Sequence, residues 1–272
     1  MNGRLVWSGL LLCLLAAPAC AQPGAPSNLG VGGSAVMAVT FDAAASITGD
    51  TVTSRSYTHT FGSLTSGAIA IGIEFHTNTS TGITVTVGGT SATLISGTDS
   101  GTATSNRAML FGLATGTLSG AQTIVVSWTT AAIVTIGSVS ADGVDQTTPF
   151  NNGAFAVAFS AGPSSVTITT AVDDMTIDAT VSGGGTGGQL SSPSPQTQAY
   201  NPGTVAFTMN GAGGYNLSAG ASTAHTWVLG GTVVWTSSGA NFKAAAAGGR
   251  TTKNTRAWPL GVEVGMGWRM DP

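Results

Sequence analysis

From about residue 36 to residue 242 the chain repeats a single pattern. Short runs rich in Val, Ile, Thr and Ala are separated by Gly-rich punctuation, and no stretch carries the 3.6-residue apolar period of a helix. Ser54–Phe61 alternates, with Arg55, Tyr57, His59 and Phe61 on one side, and Gly67–Phe75 is a continuous apolar run suited to a central strand. Gly82–Val87 and Ala92–Ile95 read as a hairpin around Gly88-Gly89. Further strands are expected at Val36–Phe41, Arg107–Ala114, Gln122–Trp128, Ile133–Val139, Phe155–Phe159, Ser165–Thr170, Met175–Val181, Thr204–Met209, Tyr215–Ser218 and within Thr226–Phe242. Strands at roughly ten-residue spacing predict an all-β chain, an antiparallel β-sandwich of jelly-roll-like kind over residues 35–245.

Charge constrains the surface of such a sandwich. Charged residues are 7% of the chain, against roughly 25% in ordinary soluble domains. The 42% apolar content in strand-like runs argues against disorder. Solubility therefore rests on hydroxyl and backbone groups, a surface suited to other proteins or neutral glycans. The formal charge of −3 argues against nucleic acid as a partner, because phosphate binding needs clustered Lys and Arg.

Val39-Thr40-Phe41-Asp42-Ala43-Ala44, the strand ending Ile71-Gly72-Ile73 and Ser140–Pro149 (SADGVDQTTP) resemble a domain recurrent in bacterial secreted proteins and phage structural proteins. Its pattern has a VTFDA start, a buried strand, a GVDQTTP loop and Trp-bearing closing strands. Met175–Thr180 is similar to its later strand, and Thr226-Trp227, Trp235 and Asn241-Phe242-Lys243 to its closing hairpin. The likeness covers roughly residues 37 to 245. Ser66-Gly67 departs from it, where relatives carry Asn-Arg. The resemblance implies a jelly-roll-like sandwich and no settled activity.

Residues 1–21 read as a secretory signal peptide. Arg4 precedes the apolar run Leu5–Ala17, which is too short to span a bilayer, and Ala19 and Ala21 occupy the small-residue positions of a cleavage site between Ala21 and Gln22. An alternative reading makes Cys20 a lipidated residue, although Ala17 stands where a Leu is usual. Both cysteines, Cys13 and Cys20, fall in this segment, so the expected mature chain has no disulfide, no thiolate and no transmembrane span. Residues 22–34 (beginning QPGAPSNLG) read as a linker. Residues 246–272 read as a second linker and an amphipathic strand, in which Val262, Val264, Met266 and Trp268 share one face. That strand either completes an edge of its own sandwich or pairs with another copy to form a homo-oligomer.

The supply of chemical groups is thin. His59, His76 and His225 lack metal-ligand spacing. Gly183-x-Gly185-x-x-Gly188 matches a dinucleotide fingerprint but runs into a loop instead of a helix. Asp173, Asp174 and Asp178 form the one acidic cluster, either a structural calcium site or solvated turn residues. Asp142 and Asp145 read as turn caps. Trp128, Trp227 and Trp235 read as core. Tyr200 and Tyr215, each followed by Asn in a turn-rich stretch, are the best candidates for an exposed ligand contact, the alternative being tyrosines that close a sandwich edge. The expected function is an exported, non-enzymatic structural or surface-interaction module, secreted or at the cell surface and without a catalytic cofactor. A carbohydrate-binding module and a phage virion component, such as a decoration or tail-fibre domain, are the alternatives.

Overall fold

The computed structural model describes residues 37–246, apart from 77–78, 102–104, 184–189, 192–194, 206–208 and 219. The cleavage position at Ala21 and Gln22 and the strand Val262–Trp268 lie outside the described residues. Among those described, every regular element is a β-strand and every pairing is antiparallel.

The first half of the chain makes one sheet from β1 (Thr40–Phe61), β2 (Gly67–Phe75), β3 (Thr84–Val87), β4 (Thr90–Ser91), β5 (Thr93–Leu94), β6 (Arg107–Gly116) and β7 (Gly120–Asp142). Its spine is β7, 23 residues long. One edge of β7 pairs with β1 along its whole length, and the other pairs with β3 over Ile124–Ser127 and with β2 over Val134–Ala141. The expected strand Ser54–Phe61 and the last two residues of Val36–Phe41 thus belong to one element, with Met37–Val39 outside it and Val36 outside the described residues, and Gln122–Trp128 and Ile133–Val139 belong to another. Within β1, Gly49-Asp50-Thr51 forms irregular pairing with a left-handed Thr51 (φ 50°), a bulge that bends the ribbon without ending it.

The bend lets the sheet roll. Gly88 and Gly89, both at positive φ, make the tight turn from β3 to β4. Ala92 N–H then donates to Val85, and β5 pairs with β6 at the opposite edge of the sheet, so the sheet nearly closes on itself. The inward residues at period two are Ile69, Ile71, Ile73 and Phe75 of β2, Met109 and Phe111 of β6, and Ile124, Val126, Trp128, Val134 and Ile136 of β7, and together they fill the interior.

The second half supplies β8 (Phe150–Ser160), β9 (Ser164–Thr169), β10 (Met175–Gly183), β11 (Leu190–Ser191), β12 (Thr197–Tyr200), β13 (Thr204–Val205), β14 (Met209–Leu217), β15 (Ser222–Leu229) and β16 (Val233–Phe242). A second sheet runs β12-β14-β10-β16-β8, with β13 also on β14, and a third runs β11-β15-β9. The expected closing hairpin is not one: β15 pairs with β9 and β11, whereas β16 pairs with β10 and β8. One face of the second sheet (Met175, Ile177, Ala179, Ala240, Phe242) packs on the outer face of the first (Ala68, Ala70, Leu110, Val139, Ala141). Its other face carries Ala212 and Trp235, which pack with Trp227 and Leu229 of the third.

The joint between the first two sheets is tight because it is built from glycine and one aromatic ring. A Cβ on Gly137 would lie 2.1 Å from the Tyr200 ring, and one on Gly213 2.4 Å from it. The ring lies flat where two backbones are bare. Gly137→Ala is expected to cost about 2–3 kcal/mol, as overpacking of a rigid core does, in denaturant unfolding. Gly162→Ala, whose Cβ would meet only Ser160 Oγ at 4.0 Å, is expected to be near neutral.

Candidate functional site

Tyr200 is 6% exposed, and its hydroxyl donates to Glu74 Oε1 at 2.6 Å. It is a bolt between sheets and presents no face to a ligand, so the expectation of an exposed contact gives way to the edge-closing alternative. The cause is the pair of glycines beneath it, Gly137 far away in sequence and Gly213 on the paired strand β14. Tyr215 is half-buried and stacks on Phe41, with ring centroids 4.3 Å apart. Glu74 has no exposure, and its Oε2 has no hydrogen-bond partner among the described residues. Burial pushes the Glu74 carboxyl well above its ordinary range, against the opposing Tyr200 hydrogen bond and with the help of the Asp178 charge. Burial, and then Glu74 itself, push the Tyr200 phenol up as well.

Asp178 faces the other way, into the layer between the second and third sheets. Its Oδ1 accepts from Gly214 N–H and His225 Nδ1, both at 2.8 Å, and its Oδ2 from Thr180 Oγ1 and Trp227 Nε1. His225 Nε2 lies 2.8 Å from Thr176 Oγ1. Aspartate, histidine and hydroxyl therefore stand in the order of a base-activated nucleophile. Sequence reasoning missed this set; the alternation of Thr223, His225 and Trp227 on one face of β15 was its only trace. Thr176 and His225 have no exposure and Asp178 has 2%, so the packed sheets keep any substrate carbonyl from Oγ1. The arrangement ties β10, β14 and β15 together.

The acidic cluster does not converge. Asp174 accepts from Ala171 N–H, Asn241 Nδ2 and Ala244 N–H, so its oxygens, like those of Asp178, are already taken by protein donors. Asp173 sits left-handed (φ 71°) at the entry to β10, and its carbonyl accepts from Val39 N–H. These residues do not fit a hard cation, which needs several free oxygens around one point. Among the described residues no group of three or more His, Cys, Asp or Glu is arranged to hold a metal.

The loop after β7 is a clasp. Asp145 accepts from Thr147 N–H and Thr148 N–H and pairs with Lys243 Nζ at 2.8 Å, contacts that hold its carboxyl well below the usual range. Asp142 accepts from Thr65 N–H and Ser66 N–H. Both aspartates cap turns, as their spacing implies.

His59 is the second sealed histidine. Its Nδ1 and Nε2 each lie 2.8 Å from a serine hydroxyl, Ser138 and Ser140, and Ser140 Oγ donates to Asp42. Burial lowers the imidazole from 6.5 to about 4, against the pull of Asp42.

Two features open to solvent. A cleft of about 430 Å³ is lined by Leu190, Ser191, Asn201, Asn210, Val228 and Leu229. On β8, the edge strand of the second sheet, Phe155 (48% exposed), half-buried Val157 and Phe159 (71% exposed) project from one face. Val172, Leu217 and Val228 are the other exposed large apolar side chains of the second half among the described residues. No helix among the described residues is long and apolar enough to cross a membrane.

No protein-family model, curated protein or solved structure matches the chain.

Two of the buried ionisable groups, His59 and Glu74, act at opposite ends of the pH range. An unfolded chain protonates His59 near 6.5 and the native one near 4, so stability is full above 6.5 and falls as pH drops to about 4, by up to about 3 kcal/mol. Glu74 is raised, so the unfolded chain ionises first and stability falls as pH climbs above its ordinary range. Chemical unfolding against pH is expected to lose the acid limb in His59→Gln and the alkaline decline in Glu74→Gln.

Proposed function

We propose that the chain is an exported, non-enzymatic structural module that works through its surface, in assembly or adhesion outside the cytoplasm. The packed antiparallel sheets support the jelly-roll-like sandwich reading of its fold. The observation that carries the functional reading is the contrast between inside and outside. Glu74, Asp178, His225 and His59 are turned inward and bonded to one another or to neighbouring hydroxyl and amide groups, and His76 is half-buried. Phe155, Phe159, Val172 and Leu217 are turned outward on a chain with few charges. Exposed apolar side chains grouped on one strand mark interaction surfaces in soluble proteins.

The test is adsorption of the purified protein, followed by quartz-crystal microbalance, on hydrocarbon-terminated and hydroxyl-terminated layers. Retention on the hydrocarbon layer is expected, with at least a threefold loss for Phe155→Ser/Phe159→Ser. A protein retained on neither layer contradicts the reading.

A further inference from the structure

The exposed row on β8 has a symmetry of its own. Among the described residues β8 pairs only with β16, which leaves its other edge open. The strand carries no charged residue and no proline, the usual devices that keep an edge from pairing. Ser96 and Gly97 close over it at Gly153, where an added Cβ would strike Ser96 O. The free stretch is therefore Ala154–Ser160, and its midpoint is Val157. Around that midpoint the sequence Phe155-Ala156-Val157-Ala158-Phe159 reads the same in both directions.

We propose that β8 is a self-association edge, occupied by β8 of a second copy running antiparallel about a two-fold axis at Val157. This rests on the surface-interaction reading above and names the partner. A two-fold interface uses the same patch on both subunits, so residue i meets j and j meets i. Centred on Val157, Phe155 of one copy lies opposite Phe159 of the other, twice, on one face. Ala156 lies opposite Ala158 on the other face. Paired aromatics are among the favourable cross-strand neighbours, and no like charges are brought together. A phenylalanine side chain offers roughly 200 Å². At the observed exposures the four rings bury on the order of 500 Å², about half of the roughly 1,000 Å² that a specific interface requires. Val157 and the seven-residue backbone ladder supply the rest, which points to a reversible, concentration-dependent dimer. The six strands of the second sheet then continue into those of the partner.

Sedimentation velocity over a range of concentrations tests this with the full chain and two variants. The full chain is expected to pass from monomer to dimer. Phe159→Lys, a change at the most exposed position of the strand, is expected to weaken the dimer at least tenfold with its fold intact by circular dichroism. Removal of residues 257–272 is expected to leave the dimer unchanged. For register, Val157→Cys in a Cys13→Ser/Cys20→Ser background is expected to cross-link to itself on mild oxidation, because residues directly opposite have Cα atoms about 4.5–5.5 Å apart. Phe159→Cys in the same background is expected not to, since residues 159 of the two copies stand about 13 Å apart. A monomer at every concentration, a dimer indifferent to Phe159→Lys, a dimer lost with residues 257–272, or the reverse cross-linking pattern overturns the pairing. None of these outcomes bears on adsorption by the monomer, which tests the surface reading separately.

Discussion

The structure depends most on a single carboxylate. Asp178 lies at the centre of the central strand of the second sheet, where four donors, one from its own strand, one from β14 and two from β15, converge on it. An isolated charge at that depth would be costly. Surrounded by Gly214 N–H, Thr180 Oγ1, His225 Nδ1 and Trp227 Nε1, it instead fixes the third sheet against the second. Hydrogen bonds to a charged group are the stronger kind. Trp227 illustrates the coupling: its indole fills the core between the sheets with no exposure while its N–H reaches the carboxylate. Tyr200 and Glu74 do the same on the opposite face, with an acid whose pKa burial raises. The chain joins its three layers by polar bolts set in apolar walls, and none of the bolts is a disulfide among the described residues.

That design explains the composition. With 7% charged residues the surface gains little from ion pairs, and surface pairs contribute little in any case. Arg107 with Asp99 and Lys243 with Asp145 are the ion pairs between full charges among the described residues. Each also bonds to loop backbone or hydroxyl groups, so each fixes a loop as well as a charge. Glycine serves where backbones must approach: Gly137 and Gly213 accommodate the Tyr200 ring, and no residue with a side chain could take their place without moving it.

Period two was enough to find most of the strands, the antiparallel all-β class, the Gly88-Gly89 turn and the burial of Trp128, Trp227 and Trp235, but it missed β12 and the middle of β14 and paired Ala92–Ile95 with the strand before it, whereas β5 pairs with β6. It was not enough to find partners. Alternation states which face a residue occupies and nothing about what lies across from it, so β15 and β16, adjacent in sequence and each Trp-bearing, looked like a hairpin although they belong to different sheets. Tyr200 looked exposed because Asn201-Pro202-Gly203 follows it, while the glycines that receive its ring lie more than 60 residues upstream or, for Gly213, on the next strand. Asp178 looked like a member of an acidic turn because Asp173 and Asp174 are close in sequence. Its donors His225 and Trp227 lie 47 and 49 residues away, and only the fold brings them together.

A buried network that is a permanent part of the fold stays closed to solvent. Hydrogen exchange of the Trp227 indole N–H, followed by NMR, addresses that directly. If the network is sealed, this proton exchanges only through global unfolding, as slowly as the most protected amides of β10 and with the same dependence on denaturant. Exchange within minutes, independent of denaturant, would show that solvent reaches Asp178 and His225 in the native state, and would return the Asp178–His225–Thr176 arrangement to consideration as a working site.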